Sequence, residues 1–146
     1  KWYNYFTCKE YTGKSEHVID APLDTIPLFV KSGSIIPLMN PVESTMFRDK
    51  ESLILKCVPS DSEVRLDLYE DDGSSNRYTQ GKFTVSAVTL SNKGLTFVKG
   101  SGSSIKTLTV QIPCTMSKPK GFVMDGAWLV KQFTIDSGIL RVDFSD

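Results

Sequence analysis

The 146 residues make one ordinary domain, or two small ones sharing a core, and are enough to bury that core without staples. Seventeen Lys and Arg against seventeen Asp and Glu leave no net charge, which argues against nucleic acid or an anionic membrane as a partner. Apolar residues at 40% and charged residues at 23% exclude disorder, and the most apolar stretch, 26–39, carries Lys31, two serines and two prolines, so nothing here spans a bilayer.

The chain opens on KWYNYF, which lacks the basic-then-apolar pattern of a leader. Trp2, Tyr3, Tyr5, Phe6 and Tyr11 form an aromatic cluster. Trp2, Tyr3 and Tyr5 suit burial in a core or against a neighbouring domain, and they could also present rings to a sugar. EHVID (16–20) reads as a strand, and its His17 as a structural strand histidine. Residues 39–51 are polar and without period, which places an internal boundary there, and 41–50 is the one stretch that could hold a helical turn. From residue 52 onward the period is two. Val64–Leu66–Leu68, Phe83–Val85–Ala87, Leu108–Val110–Ile112, Phe133–Ile135 and Leu140–Val142–Phe144 alternate with polar neighbours. Asp71-Asp72-Gly73, Asn92-Lys93-Gly94, Asp125-Gly126 and Asp136-Ser137-Gly138 punctuate them as turns. Asn92-Lys93-Gly94 and Asp125-Gly126 read as hairpin tips, and 99–104, KGSGSS, as a hairpin loop. The fold class expected is all-β: an antiparallel β-sandwich of about ten to twelve strands, with a partial β-segment at the N-terminus.

Chemistry has few places to sit. Glu70-Asp71-Asp72-Gly73 is the densest charge. It is either a structural loop whose carboxylates accept turn N–H groups or a weak metal candidate, since the spacing of a calcium loop is missing. Adjacent strand carboxylates point to opposite faces, so Glu70 and Asp71 do not form a hydrolytic pair. With no phosphate cradle, nucleophile elbow or metal-spaced His/Cys set, the expectation is no catalytic residue, no metal and no cofactor. Cys8, Cys57 and Cys114 cannot all pair and lack C-x-x-C spacing. Free thiols favour a reducing compartment such as the cytoplasm, and nothing else speaks to localisation.

Two segments carry a resemblance. WYNYFTCKEYTG (2–13) followed by VIDAPLDTIPLFVKSGSIIPL (18–38) resembles the segment after the catalytic barrel in family 31 glycoside hydrolases, which include α-glucosidases and α-xylosidases. Asn4, Cys8 and Lys31 stand where that family commonly has Asp, Gly and Arg. LDLYEDDGSSNRYTQGKF (66–83) resembles the family's distal C-terminal β-domain, whose hallmark is similar to L-Y-E-D-D-G-x-S-x-x-Y-x-x-G. Residues 91–146 match in strand pattern only. The resemblance implies that 1–40 ends a proximal C-terminal β-domain, 41–49 connects, and 50–146 is the distal β-sandwich. It implies a non-catalytic, fragment-like C-terminal portion of a retaining α-glycosidase, because the family's aspartate nucleophile and acid lie on a preceding (β/α)8 barrel. That barrel would be its partner, and carbohydrate at most a weak ligand. A free-standing carbohydrate-binding module and a pure interaction domain are the alternatives. The apolar mass of residues 1–38 also predicts self-association through that end.

Overall fold

A computed structural model describes residues 1–58, 60–91 and 94–112, and four further strands between residues 122 and 142. In chain order the strands are β1 (Trp2–Asn4), β2 (Glu10–Tyr11), β3 (Phe29–Lys31), β4 (Ser34–Leu38), β5 (Ser52–Val58), β6 (Val64–Glu70), β7 (Thr84–Ser91), β8 (Gly94–Val98), β9 (Thr107–Gln111), β10 (Phe122–Met124), β11 (Ala127–Leu129), β12 (Thr134–Asp136) and β13 (Ile139–Val142). Short 3-10 turns at Thr45–Phe47 and Asn76–Gln80 begin where Ser44 and Ser75 accept backbone N–H groups through their hydroxyls. The first lies inside the stretch expected to hold a helical turn.

The strands form three sheets, with orders β2-β1-β3, β11-β10-β8-β7-β6 and β12-β13-β9-β5-β4. The two five-stranded sheets make the expected sandwich. Their inner faces supply Leu55, Cys57, Leu108 and Val110 from one side and Val88, Leu90, Leu95 and Phe97 from the other, with Ile105 between. Most pairings are antiparallel, but β5–β9 and β8–β10 run parallel. The reason is that the chain crosses between sheets, so spatial neighbours are distant in sequence. Residues 99–106 make one such crossing, from β8 to β9. The KGSGSS stretch is therefore not the hairpin loop its composition suggested.

The phase of β7 also differs from expectation. Ser86, Val88 and Leu90 face the core, whereas Phe83 and Val85 remain 47% and 43% exposed. Counting greasy residues misleads here because the inward position nearest the start of the strand is a serine, kept inside by hydrogen bonds described below. Ser91 pairs with Gly94, Met124 with Ala127 and Asp136 with Ile139. The turn residues Asn92, Lys93, Asp125, Gly126, Ser137 and Gly138, and the side chains of Trp128, Phe133, Phe144 and Cys114, lie outside the described residues.

The small N-terminal sheet lies on the outer face of the β4–β5 pair. Tyr3 and Val30 bury themselves against Val58, with Tyr5 and Ile36 alongside. β4 itself pairs with β5 from Ser34–Val58 to Leu38–Ile54. Residues 34–38 are thus hydrogen-bonded into the sandwich from the far side of the 41–49 connector.

Candidate functional site

Glu70 closes β6 with its carboxylate turned toward the 99–106 crossing. Its oxygens accept from the Ser103 hydroxyl at 2.6 Å, the Ser104 hydroxyl at 2.9 Å, the Ser104 N–H at 3.1 Å and the Ser86 hydroxyl at 3.4 Å. Ser86 is fully buried and in turn accepts the Gly100 N–H at 3.0 Å. Partial burial pushes the Glu70 carboxyl up, but the Ser103 and Ser104 hydrogen bonds outweigh it and hold the pKa below the ordinary glutamate value. Glu70 acts as a clasp between the end of β6 and the 99–106 crossing.

The next two carboxylates look inward on their own loop. Asp71 accepts the Gly73 N–H at 2.8 Å, and Asp72 accepts the N–H groups of Ser74 and Ser75 and the Ser75 hydroxyl. The Ser75 hydroxyl and these N–H groups hold the Asp72 pKa down to about 2. Gly73 adopts φ 70°, the left-handed region a side chain resists. Lys50 donates to the Asp72 carbonyl oxygen at 3.2 Å, so the residues leading into β5 are tied to this loop. Among the described residues no group of three or more His, Cys, Asp or Glu side chains could hold a metal ion. The three acids diverge to different partners.

The N-terminal aromatics divide between two environments. Tyr3 is buried and its hydroxyl donates to Glu10 at 3.4 Å. Tyr5 packs beside it, and the Lys56 ammonium sits 3.4 Å from the Tyr5 ring centroid while donating to the Tyr5 carbonyl oxygen at 2.7 Å. Desolvation lowers the Lys56 pKa, and the cation–π contact and the carbonyl bond offset that cost. Trp2 is half exposed and lines an open recess of about 370 Å³ with Tyr11, Gly13, Lys14, His17 and Phe29. His17 is not in a strand. Its Nε2–H donates to the Thr12 carbonyl oxygen at 2.8 Å and its ring meets Tyr11 edge-on, so it braces the loop. Cys57 is buried, which pushes its thiol up to about 12 and leaves it inert.

Three contributors were invisible in the sequence. Ser103 and Ser104 reach Glu70 across more than thirty residues, and a serine pair in a glycine-rich run reads only as a flexible loop. Lys56 meets Tyr5 from 51 residues away, which nothing in its local sequence announces. A further exposed feature is an aromatic pair, Tyr69 stacked on Phe83 with ring centroids 5.3 Å apart, on the outer face of β6 and β7.

Residues 1–36 match the family described as the glycosyl hydrolase family 31 C-terminal domain. An α-xylosidase of Saccharolobus solfataricus is 31% identical over 88 residues, which is 60% of this chain and 12% of that enzyme. A family 31 dextranase of Flavobacterium johnsoniae, whose structure was solved with isomaltotriose, aligns with TM-score 0.65 at 29% identity over 82% of this chain and 16% of its own. A family 31 α-xylosidase from Xanthomonas citri aligns with TM-score 0.66 at 25% identity over 99% of this chain and 15% of its own. The chain spans about an eighth of the length of the first of these relatives.

Proposed function

Because the chain is a C-terminal β-domain portion of glycoside hydrolase family 31, we propose that it is the non-catalytic part of a retaining, α-glucosidase-like enzyme, and that it supports the catalytic barrel and the cleft of that parent. In this reading residues 1–33 end a proximal domain, and β4 belongs with the distal sandwich. The observation that carries the reading is the match of residues 1–36 combined with where exposed apolar side chains fall. Phe6, Val18, Leu23, Ile26 and Leu28 are 62%, 105%, 110%, 76% and 45% exposed, all in the segment that the family model matches. Such a row is unusual on a free surface and suits a covered one.

The chemistry is consistent with a supporting role. Glycoside hydrolysis needs two carboxyl groups facing each other across a sugar, about 5–9 Å apart. Here Glu70, Asp71 and Asp72 spend their oxygens on hydroxyls and N–H groups of their own fold. The expectation is that the purified chain turns over no aryl α-glucoside or α-xyloside, and that the coding sequence preceding Lys1 specifies a (β/α)8 barrel which binds the chain when expressed separately. A different preceding sequence, or a barrel indifferent to the chain, would sink the reading.

A further inference from the structure

The three-stranded sheet β2-β1-β3 is apolar on both faces. Directly opposite residues of an antiparallel pair share a face. The pairs Tyr3–Glu10 and Tyr3–Val30 therefore belong to the inner face, which packs on Val58. Trp2–Tyr11, Trp2–Lys31 and Asn4–Phe29 belong to the outer one. A sheet with one covered face ordinarily turns polar residues to water on the other. Here the outer face instead offers Trp2, Tyr11 and Phe29, which wall the recess of about 370 Å³ together with Ile19. Its walls are braced, because the Tyr11 ring meets Phe29 edge-on at 5.2 Å and His17 at 5.1 Å. The rim is positive. Lys14 lines the recess from a backbone at φ 58°, a conformation that glycine would adopt at lower cost. Lys31 stands beside Trp2, and the Lys9 ammonium lies 5.4 Å from the Tyr11 ring centroid. Among the described residues none of these three lysines has an ion-pair partner. Glu10, the acid of these strands, is on the inner face and pairs with Lys1 at 2.8 Å. Glu16 and Asp20, on the adjoining loop, do not line the recess.

Resting on the functional reading above, we propose that this recess is the socket for an acidic segment of the parent barrel. The segment places an apolar side chain among Trp2, Tyr11 and Phe29 and sets Asp or Glu side chains against Lys14 and Lys31. Two arguments select a folded, acidic partner surface. Ile19 of the lining adjoins Val18, where the exposed row running to Leu28 begins, so one cover serves recess and row together. A small solute in the recess would leave that row in water, whereas a protein surface of ordinary interface size spans both. The unpaired lysines then supply the sign of the partner. An apolar centre bordered by complementary charge is the usual anatomy of a protein interface, and the charges fix its register.

The test titrates the separately expressed barrel of the preceding section with the full chain, in about 50 mM and in about 1 M salt. Lys14→Glu combined with Lys31→Glu is expected to weaken binding about tenfold at the lower salt and less than about threefold at the higher. Trp2→Ala should weaken it about tenfold at both, and Trp2→Phe should recover most of that loss. Lys82→Glu, just past the 3-10 turn Asn76–Gln80, should bind as the unsubstituted chain does. Unchanged urea midpoints in the lysine variants would show that the fold is intact. A carbodiimide, which joins an amine to a carboxylate in direct contact, should link Lys14 or Lys31 to an Asp or Glu of the barrel, read by mass spectrometry. Undiminished binding by the double lysine variant or by Trp2→Ala, or cross-links that all avoid Lys14 and Lys31, overturns the socket and leaves the functional reading standing. Lysine changes that alter only the self-association of the free chain would assign the recess to a second copy and overturn the socket equally. A barrel that does not bind the chain at all removes both.

Discussion

Cys8 sits at φ 58°, in the left-handed region, at the end of a tight turn in which the Asn4 carboxamide accepts the Phe6 and Thr7 N–H groups and the Asn4 carbonyl accepts the Cys8 N–H. An L-residue there costs about 1–2 kcal/mol relative to glycine. Glycine is also the common residue of the resembling family motif at this position. Cys8→Gly is therefore expected to raise stability by about 1 kcal/mol, read as a higher midpoint in urea with unchanged slope. A fall in the midpoint would mean that the thiol makes contacts worth more than the strain. Gly73 is the mirror case: at φ 70°, Gly73→Val should destabilise by more than about 1 kcal/mol. Glu70 sets a pH dependence. Its folded pKa lies below its unfolded value, so its contribution is complete above the unfolded value, about 4.3, and disappears as pH falls through the folded value. Asp72 extends the same trend toward pH 2, because its folded value is about 2. Stability should thus be flat near neutrality and decline below about pH 4.5, and in Glu70→Gln the upper part of that decline should flatten. An unchanged profile would show that the Ser103 and Ser104 bonds do not persist in solution.

At the scale of elements, the β4–β5 pair decides how the chain can be cut. A chain trimmed to 50–146 loses β4, which leaves the edge of β5 unpaired and the outer face of Val58 uncovered. Open edges recruit other chains. Residues 34–146 should stay soluble at concentrations where 50–146 aggregates, measured by sedimentation. Equal behaviour would mean that β5 needs no partner on that side. This pairing was only half legible in the sequence. The polar, aperiodic run at 39–51 was visible and does separate β4 from β5, but pairing across it depends on Ser34–Leu38 finding Ser52–Val58, which composition does not encode. The alternation of β6 and β9 was readable because Val64, Leu66 and Leu68 in one and Leu108 and Val110 in the other are apolar at successive inward positions, with Glu70 breaking the run only at the end of β6. In β7 it failed because Ser86 points inward to a hydrogen-bond network whose other members, Glu70 and Gly100, lie on different elements. Of the candidate site, the Gly73 turn could be read locally, whereas the Glu70 clasp could not.

For the whole molecule, the exposed row from Val18 to Leu28 sets the behaviour of the chain in isolation. With no barrel to cover it, the row should drive reversible self-association, so the sedimentation coefficient should rise with protein concentration. Leu23→Asp with Ile26→Asp, both at positions more than three quarters exposed, should restore monomers without altering the fold. A chain that stays monomeric before substitution would show that the row tolerates water.

The order β12-β13-β9-β5-β4 also has a consequence in time. β5 is completed at Val58, but the strand beside it, β9, ends at Gln111, and β13 must then pair with β9. A ribosome adding about 5–20 residues per second leaves the nascent β4–β5 hairpin with one bare edge for about 3–10 s, far longer than the microseconds in which such a hairpin forms. Assembly from the N-terminus is therefore limited by synthesis rather than by diffusion, and the growing chain passes through an interval in which a chaperone, or the parent barrel proposed above, has first access to that edge.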